Sequence, residues 1–161
     1  MHQYPHIFVI IFLSLFLSFH THAHASGQNN NYEISSDKSL QDILEDIEFA
    51  MTEHNLRIVD RLHIGQAIKL RGNEDFPDYE VILYCNLTFA QKMLELDPEL
   101  INTCPGRVTV RGKANSYIIS APLWPEQNTD NRLNELMHAL NNQLIKIVDY
   151  GALEWSKPYE N

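Results

Sequence analysis

The stretch Tyr79-Glu80-Val81-Ile82-Leu83-Tyr84-Cys85 decides the fold. It is apolar at nearly every position, whereas a half-exposed strand alternates apolar and polar residues. Strands of this kind lie inside a sheet with other parts of the protein covering both faces. The stretch therefore predicts a central β-strand that ends at Cys85.

The residues that follow this strand predict a helix, a helical turn and a hairpin. Asn86 can cap a helix that runs through Leu96. Asp97-Pro98 restarts a helical turn, because Asp caps and Pro suits the first helical position. Residues 107–111 alternate strictly, so Arg107 and Arg111 share the polar face of a half-exposed strand, and residues 116–121 return as its hairpin partner.

The N-terminal half predicts two more strands, at residues 32–34 and 56–62, and two helices. Ser35-Ser36-Asp37 offers capping oxygens for the first helix. Its apolar residues recur at helical spacing up to about His54: Leu40, Ile43, Leu44, Ile47, Ala50 and Met51. Residues 64–70 predict a short second helix.

A long C-terminal helix begins at Asp130 and has the strongest helical periodicity in the chain. Its apolar face comprises Leu133, Leu136, Met137, Leu140, Leu144, Ile147 and Val148. Met137 and the adjacent His138 are interpreted as core and boundary residues. The order strand, helix, four strands, helix predicts a two-layer α+β domain with an antiparallel sheet covered by this helix.

The second face of the predicted sheet is apolar as well, at residues 79–85 and at 117–119. A single chain of this size has little left to cover it. We expect a homodimer that buries this face, with short helices folded over it as the alternative.

The N-terminus indicates export. Residues 7–19 form a short apolar run, too short to span a bilayer, and Ala23-His24-Ala25 resembles a signal peptidase site. We expect residues 1–25 to be a cleaved signal, 26–31 a leader, 32–153 a single domain and 154–161 a tail, in a periplasmic or secreted protein. An uncleaved anchor is the alternative, since residues 1–6 contain no Lys or Arg.

The net charge of −9 argues against nucleic acid and anionic membrane surfaces as partners, because both require clustered Lys and Arg. The sequence contains no phosphate-binding glycine loop, His-Glu-x-x-His or Cys-x-x-Cys motif. Composition and motifs therefore favour a protein that is not an enzyme and that requires no cofactor.

The two cysteines are the most informative candidates for chemistry. If the strands that Cys85 ends and Cys104 precedes pair antiparallel, both thiols lie at the same end of the sheet. In an oxidising compartment such a pair often forms a disulfide. Alternatively, Cys85 precedes a helix N-terminus, which favours a thiolate and so predicts a redox thiol. A third possibility is that both cysteines bind a soft metal ion such as Cu(I), with Met93, His63 or His138 as a further ligand.

These residues resemble the domain of unknown function 302 family. The resemblance is carried by residues 79–86, Ala90, Met93-Leu94, Asp97-Pro98 and Cys104-Pro105-Gly106-Arg107, within about residues 32–153. It implies a TBP-like fold and often dimers, but no established activity. Many members place the second cysteine directly after the proline, where this chain has Gly106.

Together these observations predict an exported module that binds a small ligand, a metal or a protein partner. Asn86 and Arg107 are further candidate ligand residues, and Trp124 with Trp155 could frame a groove, although core packing explains them as well. A thiol-dependent redox accessory protein using Cys85 and a structural adaptor with a Cys85–Cys104 disulfide are the competing interpretations.

Overall fold

The structure is a computed structural model and describes residues 30–154. The strands are β1 (Asn31–Ser36), β2 (Arg57–His63), β3 (Asp78–Cys85), β4 (Gly106–Lys113) and β5 (Ser116–Pro122). The helices are α1 (Leu40–Glu53), α2 (Ile64–Lys69), α3 (Leu87–Leu96) and α4 (Asn131–Ala152), and a 3₁₀ helix spans Pro98–Thr103. Each predicted element is present, in the predicted order.

The five strands form one antiparallel sheet with the order β1-β5-β4-β3-β2. β3 therefore lies between β4 and β2, which confirms that the apolar stretch 79–85 is an interior strand. β4 and β5 form the predicted hairpin. Ala114 and Asn115 join them with positive φ angles of 52° and 59°, the conformation that tight hairpin turns require.

One face of the sheet carries the main core. Alternate residues of β3, β4 and β5 point to this face, including Ile82, Val108 and Ile119, and pack against α1 and α4. Ile47 of α1 and Leu144 of α4 are fully buried there. The long C-terminal helix thus covers the sheet as predicted, and it shares this role with α1.

The opposite face of the sheet is formed by the residues that alternate with these core residues along each strand. Val81 and Leu83 are partly exposed, Tyr79 is 38% exposed, and Arg111 makes a bidentate ion pair with Glu33 across the sheet. This face is mixed in character, with charged residues beside the apolar ones. The homodimer stays a prediction.

The sequence misplaced one helix cap. Ser39, not Ser35-Ser36-Asp37, caps α1, with its hydroxyl accepting a hydrogen bond from the backbone N–H of Asp42. The reason is that β1 continues through Ser36, which pairs with Tyr117 of β5. The caps at Asn86 and Asp97 are as predicted, and Asp130 caps the long C-terminal helix α4.

The expected signal peptide, its alternative as an anchor, and Trp155 lie outside the described residues. Within residues 30–154, no helix combines the length and the apolar character needed to cross a membrane.

Candidate functional site: a sulfur-lined cavity at one end of the sheet

Cys85 is the last residue of β3 and is half-buried. Asn86 follows it and caps α3, with its side-chain oxygen accepting hydrogen bonds from the backbone N–H groups of Thr88 and Phe89 at 3.0 and 3.1 Å. This cap fixes the direction in which α3 leaves the sheet. As a result, α3 begins directly beside the Cys85 thiol.

Cys104 lies at the same end of the sheet, between the 3₁₀ helix and the start of β4. The 3₁₀ helix 98–103, capped by Asp97, brings the chain back from α3, and β4 begins at Gly106. Gly106 pairs with Tyr84 in the antiparallel β3–β4 ladder, so the residues on either side of this pair lie close together. Both cysteines are free in the structure, and the disulfide between them stays a prediction.

A cavity of about 30 Å³ lies between α3, α4 and the end of the sheet. All four sulfur-containing residues of this region line it: Cys85, Met93, Cys104 and Met137. The aromatic side chains of Tyr84 and Trp124 also line the cavity. Sites for metabolites usually enclose at least about 300 Å³, so this cavity fits an ion or one or two water molecules.

The two methionines are the most deeply buried of the four sulfur residues that line the cavity. Met93 is 4% exposed and Met137 is 2% exposed, and with Leu133 they form a cluster separate from the main core. Cys104 and Trp124 pack against this cluster. Burial raises the pKa of the Cys104 thiol, and the neighbouring Cys85 raises it further.

Tyr84 supports the wall of the cavity from the sheet. Burial raises the pKa of its phenol and the nearby Cys104 raises it further, while the Trp124 side chain and the charge of Arg107 act in the opposite direction. Its ring lies over Gly106, where an added Cβ would come within 2.4 Å of the Tyr84 Cζ atom. Glycine is therefore the residue that allows Tyr84 to occupy this place.

Trp124 is held in position by Asn141 of α4, a side chain that is only 3% exposed. The Asn141 amide accepts a hydrogen bond from the Trp124 backbone N–H at 2.8 Å and donates one to its carbonyl oxygen at 2.9 Å. This pairing replaces the strand or helix hydrogen bonds that the segment after β5 lacks. It anchors the indole beside the two cysteines.

The other candidates lie elsewhere. His63 pairs with buried Glu80, Nδ1 to Oε2, at 2.5 Å, and His138 pairs with Glu126 at 2.9 Å; neither imidazole lines the cavity. Arg107 is exposed and lines a separate open groove next to Trp124. The structure therefore brings together Cys85, Cys104 and Met93 and separates them from both histidines and Arg107.

Sequence reasoning did not assign Met137 or Trp124 to the same site as the cysteines. Between residues 30 and 154 there is no group of three or more His, Cys, Asp or Glu side chains that could hold a metal ion. Thioethers are the further donors that this cavity offers.

The comparisons with known proteins agree on the fold. The family described as domain of unknown function DUF302 matches residues 32–150. This chain belongs to the DUF302 family. A crystal structure of an uncharacterized conserved DUF302 protein from Bacillus stearothermophilus superimposes with a TM-score of 0.67 at 14% sequence identity, covering 77% of this chain and 98% of the other. Among curated proteins, none matches this DUF302 chain.

Proposed function

We propose that this DUF302 protein is an exported, non-enzymatic binding module whose two cysteines together hold a soft metal ion. The observation that carries the proposal is that both cysteines of the chain line one ion-sized cavity as free thiols. Thiolates bind soft ions such as Cu(I), and binding displaces the thiol protons.

The chemistry of the wall supports a soft ion over a hard one. Ca²⁺ and Mg²⁺ take oxygen ligands, mostly from carboxylates, carbonyls and water. Among residues 30–154, no Asp or Glu side chain lines this cavity. The side chains that this part of the chain places around the two thiols are thioethers, aromatic rings and aliphatic groups, together with the amide of Asn86.

The geometry gives less support to the redox alternative. A helix N-terminus lowers a thiol pKa through N–H groups that point toward the sulfur. In α3 the N–H groups of Thr88 and Phe89 are already bound to the Asn86 side chain. These two N–H groups at the helix end are therefore bound by the side chain of Asn86 and not by the Cys85 thiol.

The experiment uses protein purified after expression of the full chain, isolated without oxygen and loaded with Cu(I), Ag(I) or Cd(II). We expect native mass spectrometry to show one ion per chain and the bound ion to protect both thiols from alkylation. Cys85→Ser and Cys104→Ser should each abolish the retained ion. Thr103→Ser, a change in the exposed neighbour of Cys104, should leave it unchanged.

Two results would overturn the proposal. In the first, the protein isolated without reductant is two hydrogens lighter than the reduced protein, and the reduced protein retains no ion. The cysteine pair would then be a structural disulfide. Selective alkylation of Cys85 at neutral pH, with no ion retained, would favour the redox thiol.

A further inference from the structure

We infer that Met93 and Met137 complete the site as thioether ligands, so that the cavity is selective for a monovalent soft ion of the Cu(I) class. The inference rests on the proposed function, because it requires the cysteine pair to bind metal. It adds two thioether ligands to the proposed cysteine site and a selectivity for monovalent soft ions, which two thiols alone do not provide.

The placement of the methionines is the first argument. Met93 is the one buried residue of α3, and Met137 lies on α4, so the two reach the cavity from different helices. The third methionine within residues 30–154, Met51, is fully buried in the main core and does not line the cavity. Two of these three methionines therefore lie where the two thiols are.

The donor chemistry is the second argument. Cysteine thiolates alone accept Zn(II) and other divalent ions as well as Cu(I). Zn(II) in proteins completes its tetrahedral set with Cys, His or carboxylate ligands. Thioethers are neutral and soft, so a set of two thiolates and two thioethers favours Cu(I).

The size and the wall of the cavity are the third argument. About 30 Å³ is too small for a hydrated ion with a complete water shell, so an ion that enters must exchange water for protein ligands. Cu(I) is satisfied by few soft ligands, whereas Mg²⁺ gives up its water reluctantly. Trp124 also lines the cavity, and the π face of an indole attracts cations.

The test compares matched methionine substitutions by competition with a colourimetric Cu(I) chelator under nitrogen. Met93→Leu and Met137→Leu keep the apolar volume but remove the thioether. Each should weaken Cu(I) binding by about tenfold or more, with Cd(II) binding changed less than about twofold. Met51→Leu applies the same change to a buried methionine outside the site and should leave both affinities unchanged.

The outcomes separate this inference from the proposed function. If the methionine variants bind Cu(I) as tightly as the unmodified chain while Cys85→Ser does not, the thioethers are not ligands and the two-thiol site stands. If the unmodified chain binds no metal, both proposals fail. Equal losses of Cu(I) and Cd(II) in the methionine variants would indicate a packing defect and would also overturn the selectivity argument.

A second measurement avoids substitution. Protein that contains selenomethionine in place of methionine, loaded with Cu(I), should show metal scattering in X-ray absorption at the selenium edge. Selenomethionine protein that carries both Met93→Leu and Met137→Leu retains selenium at Met51 and should show no metal scattering at the selenium edge. Absence of a selenium–metal contact in the first sample would overturn the inference whatever the affinities are.

Discussion

The two hydrophobic clusters of this domain are built from different side chains. The main core between the sheet, α1 and α4 consists largely of branched residues such as Ile43, Ile47 and Val108, all fully buried. The smaller cluster at the end of the sheet consists of Met93, Leu133 and Met137, with Cys104 and Trp124 against it. Branched side chains have few rotamers and specify one packing, whereas methionine adapts to irregular spaces. The comparison indicates that the first cluster stabilises the fold and that the second borders the cavity.

The largest expected effect separates these two roles. Ile47→Ala leaves a cavity in the main core and should lower the free energy of unfolding by about 2–5 kcal/mol. Met93→Leu in the smaller cluster conserves volume and should cost less than about 1.5 kcal/mol. Urea unfolding followed by circular dichroism measures both. Similar losses would mean that the two clusters do not differ in their contribution to stability.

The next effect concerns the contact between the sheet and the cavity. In Gly106→Ala the new methyl group would overlap the Tyr84 ring, which has a contact of 2.4 Å at Cζ and 2.6 Å at the hydroxyl. Displacing this buried ring should cost about 1–3 kcal/mol. It should also shift the indole NMR signal of Trp124, because Tyr84 and Trp124 line the same cavity and a displaced ring changes the surroundings of the indole. An unchanged indole signal would contradict the proposed link between Gly106 and the wall of the cavity.

A smaller effect is expected at the cap between Cys85 and α3. Asn86→Ala removes the acceptor for two backbone N–H groups and should cost about 1 kcal/mol. Asn102→Ala, in the exposed 3₁₀ helix, loses a single surface hydrogen bond and should remain within about 0.5 kcal/mol. The two variants are compared by thermal unfolding. Equal shifts would show that Asn86 has no special role in placing α3.

The smallest effect lies far from the cavity, at Asp78 on β3. Burial acts to raise the pKa of this carboxyl, but hydrogen bonds from Lys69 and Tyr117 outweigh it and lower the pKa below its usual value. The carboxylate therefore stabilises the fold above the pKa of the unfolded state, and this contribution is lost as pH falls through the lower pKa of the folded state.

Asp78→Asn should accordingly reduce stability at pH 7 by less than about 1 kcal/mol and flatten the acid limb of the stability curve. Burial and Asp78 also raise the pKa of Tyr117 to about 12. The neutral phenol is favoured in the folded state, so its contribution is present below the ordinary pKa and is lost as pH rises toward 12. Unfolding measured across pH would contradict this assignment if Asp78→Asn had the same profile as the unmodified chain.

The strands and helices could be predicted because they depend on local signals. The apolar run 79–85, the alternation at 107–111 and the caps Asn86 and Asp97 each indicate one structure. Ser39 was missed as a cap because the end of β1 is set by pairing with β5, which is a long-range interaction.

The candidate site could be predicted only in part for the same reason. Antiparallel pairing places Cys85 and Cys104 at one end of the sheet, and this pairing follows from the order of the strands. Met137 has the periodicity of any buried helical residue, so its sequence position does not distinguish a solid core from the edge of a cavity. Asn141, which holds Trp124, is polar within an apolar stripe, and this exception was the one signal available in the sequence.

The lining of the cavity comes from five separate places in the chain, at residues 85, 93, 104, 124 and 137. A short motif of closely spaced cysteines can capture metal as an unfolded peptide, but here the lining residues converge only when β3, β4, α3 and α4 have assembled. Binding of any ligand in the cavity is therefore thermodynamically linked to folding. The ligand stabilises the native state by a free energy that grows with the logarithm of the ratio of ligand concentration to dissociation constant. An occupied chain should unfold and be degraded more slowly than an empty one, so that the abundance of this protein would follow the supply of its ligand without a separate sensor.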